Sequence, residues 1–153
     1  MDARSRQLRT WQPLWRILDL LRQLRERRAL AATQALGRKG EDIAHRFLRS
    51  KGFHVLARRF RLPDGSGEID IIARHGDSIV FVEVKTRKTA DYGGPERALG
   101  REKETSLIRA ARSYLLKAGA DWSQARFDII TVVASNPPEI SHYPDAFFPR
   151  RAI

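Results

Sequence analysis

Two acidic residues and one lysine stand in apolar stretches of this sequence, where charged side chains are costly. Glu83 and Lys85 flank a valine, and 12 residues separate Asp70 from Glu83. Two carboxylates in such surroundings lose hydration and repel each other, so a cation is needed beside them. Mg²⁺ suits the pair, with Mn²⁺ as a substitute, because it binds one or two carboxylates and takes its remaining ligands from water and phosphate. These residue types therefore point to metal-assisted phosphodiester hydrolysis, in which Lys85 could orient or deprotonate the water, or stabilise developing charge.

Three predicted strands must position these residues, at 53–60, 68–73 and 78–86, with turns rich in Gly, Asp and Pro between them. Side chains alternate along a strand, so Glu83 and Lys85 share a face. A turn around Gly76 pairs residues whose numbers sum to about 152 or 153, which sets Asp70 opposite Val82 or Glu83. A shift of one residue in this register would move Asp70 to the other face.

A helix is predicted from about Arg38 to Lys51, ending at Gly52. Glu41 lies on the same side as its apolar stripe, which consists of Ile43, Ala44, Phe47 and Leu48. Its carboxylate is therefore expected to face the core, unlike the outward Asp42, His45, Arg46 and Arg49. The alternative is an ordinary first-turn acid favoured by the helix dipole.

A long helix is predicted from Pro95 or Glu96 to Lys117, ended by Gly119, with a last strand at 127–134. The chain after Pro137 and Pro138 is expected to be irregular. The order α-β-β-β-α-β predicts an α/β fold with a mixed central sheet flanked by helices.

The composition favours a polyanionic partner. Lys and Arg number 29 against 18 Asp and Glu, a formal net charge of +11, which attracts nucleic acid first, although anionic lipid and acidic proteins respond to the same field. The absence of cysteine excludes disulfides, thiolate zinc sites and cysteine nucleophiles. With no apolar run of membrane-spanning length and no signal-peptide pattern, we expect a cytoplasmic protein without a membrane span.

The first 36 residues hold eight Arg, no Lys and three acids. Apolar residues recur there at helical spacing: Trp11, Leu14, Trp15, Leu18 and Leu21. This pattern predicts a helical extension over residues 1–34. It is compatible with packing on the domain or on a second copy, with a DNA-binding arm, or with a membrane-surface helix.

Asp70, a 12-residue spacer and Glu83-Val84-Lys85 resemble the PD-(D/E)xK nuclease motif. A wider set of strings resembles the YraN-like family of small bacterial proteins: Gly37-Arg38-Lys39-Gly40-Glu41, Gly67-Glu68-Ile69-Asp70-Ile71-Ile72-Ala73, Phe81-Val82-Glu83-Val84-Lys85-Thr86-Arg87 and Arg126-Phe127-Asp128. That family is similar to archaeal Holliday-junction resolvases, which implies a restriction-endonuclease-like core over residues 35–153.

Carried onto this chain, the resemblance implies that Asp70, Glu83, Glu41 and the Val84 carbonyl bind the metal, with Lys85 as the catalytic lysine. Arg59 stands where such proteins often carry Asn. The expected activity is a Mg²⁺-dependent DNA endonuclease, selective for branched or single-stranded DNA, and resolvase-like relatives suggest a homodimer. The alternative is a silent DNA-binding or partner-recruiting module, in which Asp70, Glu83 and Lys85 form only a salt-bridged cluster.

Basic residues beyond the motif are candidate phosphate contacts: Arg87, Lys88, Arg97, Arg101 and Lys103. A solvated loop would have the same composition. Lys103 and Glu104 extend the apolar stripe of the long helix by one turn, so they either face the site or serve in capping and ion pairing. Asp128 is expected to form a core ion pair.

Overall fold

The computed structural model describes residues 4–89 and 99–147, with side chains described from residue 16 onwards. The chain divides into two compact units, Met1–Leu36 and Gly37–Ile153. Among the described helices, none has the length and apolar character that crossing a membrane requires.

Helix α1 spans Arg4–Ser50, so the prediction of two separate helices before the sheet was wrong. Residues 29–36 are rich in alanine, the strongest helix former, and one glycine such as Gly37 costs a helix only about 1 kcal/mol. The predicted end is confirmed: Gly52 adopts φ 84°, and the Phe53 N–H donates to the Leu48 carbonyl at 3.0 Å.

Of the predicted N-terminal stripe, Leu18 and Leu21 are exposed on α1. The side chains of Trp11, Leu14 and Trp15 lie outside the described ones.

Strands β1 (His54–Arg61), β2 (Glu68–His75) and β3 (Ser78–Arg87) form the predicted antiparallel meander. In the β2–β3 hairpin Ile71 pairs with Val82 and Ile72 with Phe81, and both pairs of numbers sum to 153. This register is one of the two that the Gly76 turn predicted, and it places Asp70 on the same side as Glu83.

Strand β4 (Ala125–Val133) pairs with β3 in parallel, so the chain must cross over between them. Helix α2 (Arg101–Ala118) makes that crossover and ends at Gly119, whose φ of 64° and N–H bonds to two α2 carbonyls cap it as predicted. The predicted helix start at Pro95 or Glu96 lies outside the described residues, and α2 begins at Arg101.

A fifth strand, β5 (Glu139–Tyr143), pairs antiparallel with β4, so the prediction of an irregular tail was wrong. Its sequence carries little strand propensity, but Ile140 packs on the core and His142 contacts a buried acid of β4. These tertiary contacts override the weak local preference.

The sheet has the order β1-β2-β3-β4-β5 and a helix on each face, which confirms the predicted fold class. One face packs on the C-terminal part of α1 through Ile43, Ala44, Leu48, Val80, Val82 and Ile130. The other packs on α2 through Ile72, Phe81, Leu107, Ala111, Leu115 and Phe127. Glu83 and Lys85 share the strand parity of Ile79 and Phe81, which pack on the α2 face.

Candidate active site

Asp70 lies where β2 and β3 separate. The backbone ladder between these strands ends at the Ile71–Val82 pair, and Asp70 would be opposite Glu83 in the next step of the same register. Beyond the ladder, Asp70 Oδ2 accepts a hydrogen bond from the Val84 N–H at 2.7 Å. A side-chain carboxylate thus replaces the backbone acceptor that a continued ladder would supply.

The Val84 carbonyl belongs to the same edge of β3. In an antiparallel pair the N–H and C=O of one residue point to the same neighbouring strand. Because the Val84 N–H binds Asp70, the Val84 carbonyl oxygen is directed to the side of β3 where Asp70 lies. This arrangement is compatible with the predicted role of that oxygen as a metal ligand.

The ionised form of Asp70 is poorly stabilised. Burial and the charge of Glu83 raise the pKa of Asp70 from 3.8 to about 7, with a smaller contribution from Glu41. The Val84 N–H and the Lys103 charge act in the opposite direction without cancelling the rise. A nearby cation would therefore strongly stabilise the ionised form of this carboxylate.

Glu83 is the most buried acid of the cluster, with 3% of its surface exposed. Its Oε1 lies 2.9 Å from Lys85 Nζ, and its Oε2 lies 3.1 Å from Lys103 Nζ. Despite this ion pair, Oε2 accepts no hydrogen bond from the residues that the structure describes. One buried oxygen of the cluster therefore retains an unused acceptor position.

Gly40 brings α1 close to β3 beside this cluster. A Cβ at residue 40 would overlap Thr86 Oγ1, so only glycine permits the observed approach of helix and strand. The next residue in α1 is Glu41, and the close approach carries its carboxylate near enough to raise the pKa of Asp70.

Glu41 is paired with arginines of β1 rather than gathered with the other acids. Its side chain is 16% exposed, against 53% for Asp42, as the helical stripe predicted. Arg59 Nε donates to Glu41 Oε2 at 2.6 Å, and Arg58 Nη2 lies 3.8 Å from the same oxygen. Arg59 adopts φ 50°, a left-handed conformation that suits Asn better than Arg.

The residues present fit a hard divalent cation with two protein carboxylates. Within residues 4–89 and 99–147 no group of three or more His, Asp or Glu side chains could hold a metal ion. Mg²⁺ commonly takes only one or two carboxylates and completes its shell with water and substrate phosphate. Asp70 and Glu83, with the free acceptor position of Glu83 Oε2, meet that need, whereas Glu41 would first have to leave Arg59.

The predicted phosphate contacts are distributed unevenly. Lys103 lies on the side of α2 that faces the site, as the apolar stripe of that helix indicated. It pairs with Glu83, which confirms the predicted ion-pair role. Lys88 and Arg101 are exposed, and Arg87 is half-buried. Arg97 lies outside the described residues.

Asp128 forms the predicted core ion pair, away from the candidate site. It is fully buried, and Arg126 donates to both of its oxygens at 2.9 and 2.8 Å. His142 Nε2 lies 2.8 Å from Oδ2, and the Asp145 N–H donates to Oδ1 at 3.1 Å. Burial acts to raise the pKa of Asp128, but the hydrogen bonds from His142 and Arg126 outweigh it and hold the pKa below its ordinary value.

The sequence analysis missed the ion pair between Glu41 and Arg59. The available signal was the pair Arg58 and Arg59 inside a predicted strand, one of which must face inwards if the strand is regular. In the structure both arginines contact Glu41, because the left-handed conformation of Arg59 interrupts the alternation of β1.

Comparison with known proteins agrees with the motifs. The model of "Uncharacterised protein family UPF0102" matches residues 40–132. A UPF0102 protein of Solibacter usitatus is 48% identical over 111 residues, 72% of this chain and 84% of that protein. A UPF0102 protein of Syntrophotalea carbinolica is 45% identical over 114 residues, 74% of this chain and 91% of that protein.

The matched segment includes Glu41, Asp70, Glu83, Lys85 and Lys103, and leaves out the N-terminal extension. The YraN-like resemblance inferred from the sequence strings is thereby confirmed. The chain belongs to the uncharacterised protein family UPF0102.

Proposed function

We propose that the protein is a Mg²⁺-dependent DNA endonuclease whose active site is formed by Asp70, Glu83 and Lys85. The single observation that carries the proposal is the convergence of buried Glu83 and partly buried Asp70, on adjacent strands, with Lys85 Nζ 2.9 Å from Glu83 Oε1. The formal net charge of the protein, +11, supports DNA as the substrate.

The charge balance of the cluster supports cation binding. Lys85 and Lys103 both pair with Glu83, yet Asp70 keeps a pKa of about 7. The two lysines therefore leave Asp70 undercompensated. Asp70 and Glu83 would hold Mg²⁺, which when bound supplies charge neutralisation and a more acidic water at the phosphate.

Lys85 is suited to act on the reacting groups. Its side chain is about one-third exposed at 32% and remains next to the carboxylates, so a phosphate arriving at the cluster can reach its ammonium group. There it can orient the attacking water or stabilise charge on the phosphate oxygens. Glu83 fixes Lys85 in this position before substrate binds.

A nuclease assay tests the proposal. It measures nicking of supercoiled plasmid and cleavage of branched, single-stranded and linear duplex DNA, each in the presence of Mg²⁺, Mn²⁺ or chelator. Asp70→Asn should abolish cleavage, and Lys85→Met should slow it by about 100-fold or more, while DNA binding changes little. Asp77→Asn and Lys117→Met are matched controls at exposed positions and should cut like wild type. Equal cutting by wild type and Asp70→Asn would assign the cleavage to a contaminant.

A silent DNA-binding module is the second candidate, and one observation favours it. Glu83 is paired with two lysines and Glu41 with Arg59, so most of the cluster is neutralised by the chain itself. Such a protein would bind DNA with an affinity that falls steeply with salt and would yield no product at any metal concentration. That outcome would reject the endonuclease proposal.

A further inference from the structure

The first unit carries an exposed apolar surface on α1 that the proposed nuclease function does not use. We define it as the leucine face: Ile17, Leu18, Leu20, Leu21 and Leu24, which are 42 to 56% exposed. At 3.6 residues per turn these five side chains fall within an arc of about 160°. An isolated exposed leucine is ordinary, but five on one side of one helix mark an interaction surface.

Arginines lie within and next to the same surface. Leu18, Leu21 and Leu24 line a shallow groove together with Arg22, Arg25 and Arg28. The acids of residues 16–36 are Asp19 and Glu26, which lie about 160 to 180° round the helix from the centre of the leucine face. Glu26 is paired with Arg22 at 3.1 Å. The leucine face thus combines exposed aliphatic groups with positive charge and, among the described side chains, no acid.

This combination determines the partner. A second copy would bring Arg25 and Arg28 of both chains into one apolar seam, where like charges repel. Nucleic acid would attract the arginines but gain nothing from five exposed aliphatic side chains. An anionic lipid surface uses both features, since the leucines enter the acyl boundary while the arginines extend along it to the phosphates.

We propose that residues 16–36 of α1 bind the surface of a membrane containing anionic lipids, with the leucine face inserted at the headgroup boundary. The surface lies outside residues 40–132, which match the family model. The proposal is independent of nuclease activity.

A matched pair of substitutions tests the orientation of the helix. Leu21 and Leu30 are nine residues apart, which places them on opposite sides of α1, and they are 56% and 60% exposed. Leu21→Glu and Leu30→Glu make the same change in charge, volume and helix propensity. Only Leu21→Glu places a carboxylate in the leucine face.

Flotation of the full-length protein with vesicles is the measurement. Vesicles of phosphatidylcholine with about one-third phosphatidylglycerol should bind wild type, and pure phosphatidylcholine vesicles should bind it at least about tenfold more weakly. Leu21→Glu should lower the partition coefficient on the anionic vesicles at least about tenfold, and Leu30→Glu less than about threefold. Arg25→Gln with Arg28→Gln should also lower it about tenfold.

Three results would overturn the proposal. Equal losses in Leu21→Glu and Leu30→Glu would show that the basic chain adsorbs through net charge alone. Light scattering that finds a wild-type dimer, dissociated by Leu21→Glu and not by Leu30→Glu, would make the leucine face a self-association surface. Loss of DNA affinity in Leu21→Glu with vesicle binding intact would make this segment a DNA-binding arm.

Discussion

Replacement of Asp70 by Asn should stabilise the folded chain at alkaline pH. Burial and Glu83 raise the pKa of Asp70 from 3.8 to about 7, so the folded state holds a proton there that the unfolded state releases at lower pH. Stability is therefore highest below the unfolded pKa and is lost as pH rises through the folded pKa. Asn keeps an oxygen that can accept from the Val84 N–H and has no charge to bury.

The magnitude follows from the two pKa values. A tenfold change in proton affinity corresponds to about 1.4 kcal/mol, so a rise from 3.8 to about 7 costs the ionised folded state on the order of 4 kcal/mol. Because part of this rise comes from repulsion by Glu83, the gain from Asp70→Asn is expected at about 2 to 4 kcal/mol near pH 8.5 and close to zero near pH 4.

Urea unfolding in chelator, followed by far-ultraviolet circular dichroism at several pH values, measures this gain. The difference between wild type and Asp70→Asn is the informative quantity, since it cancels contributions that are common to both proteins. Asp77→Asn, at an exposed turn residue, should show no such pH-dependent difference. The raised pKa of Asp70 would be wrong if Asp70→Asn were less stable than wild type at pH 8.5, or if its free energy of unfolding differed from that of wild type by the same amount at every pH.

Further predictions concern packing, backbone conformation and the buried ion pair. Gly40→Ala should destabilise the fold by about 1 to 3 kcal/mol, because the added Cβ overlaps Thr86. Gly37→Ala has open space around it and should be neutral or stabilising by up to about 1 kcal/mol. Thermal unfolding compares the two variants, and equal effects on stability would contradict the close approach of α1 and β3. The Arg59→Gly variant should be about 1 kcal/mol more stable than Arg59→Ala, because both variants lose the ion pair but only Gly adopts φ 50° without strain. Equal urea midpoints for the two variants would contradict the left-handed conformation of residue 59. Asp128→Asn should lower the free energy of unfolding by about 3 kcal/mol at neutral pH. Because the pKa of Asp128 is lowered in the folded state, this loss of stability should shrink as pH falls below about 4. A loss of stability that does not depend on pH would exclude an ionic role for Asp128.

The sequence was sufficient to predict the β2–β3 hairpin and therefore the proximity of Asp70 and Glu83. Both strands are largely apolar and are joined by a tight turn at Gly76, so few registers were available, and the observed one was among the two expected. Helix periodicity likewise placed Glu41 and Lys103 on inward-facing sides. These are local patterns, which single sequences carry well.

Contacts between segments that are distant in the sequence could not be predicted from such local patterns. The pairing of Arg59 with Glu41 depends on the irregular register of β1 and on a left-handed residue, neither of which has a sequence signature. Strand β5 exists because β4 supplies its ladder and Asp128 binds His142. Propensity within residues 139–143 was too weak to indicate it.

The proposed function requires that Asp70 and Glu83 together hold a divalent cation. Crystals grown with Mn²⁺ and measured at its absorption edge test this most directly. We expect an anomalous peak within coordination distance of the Asp70 and Glu83 carboxylates, with Lys103 displaced from Glu83 Oε2, and no such peak in Asp70→Asn crystals. Wild-type crystals with Lys85 and Lys103 still on Glu83 and no anomalous density at the cluster would contradict it.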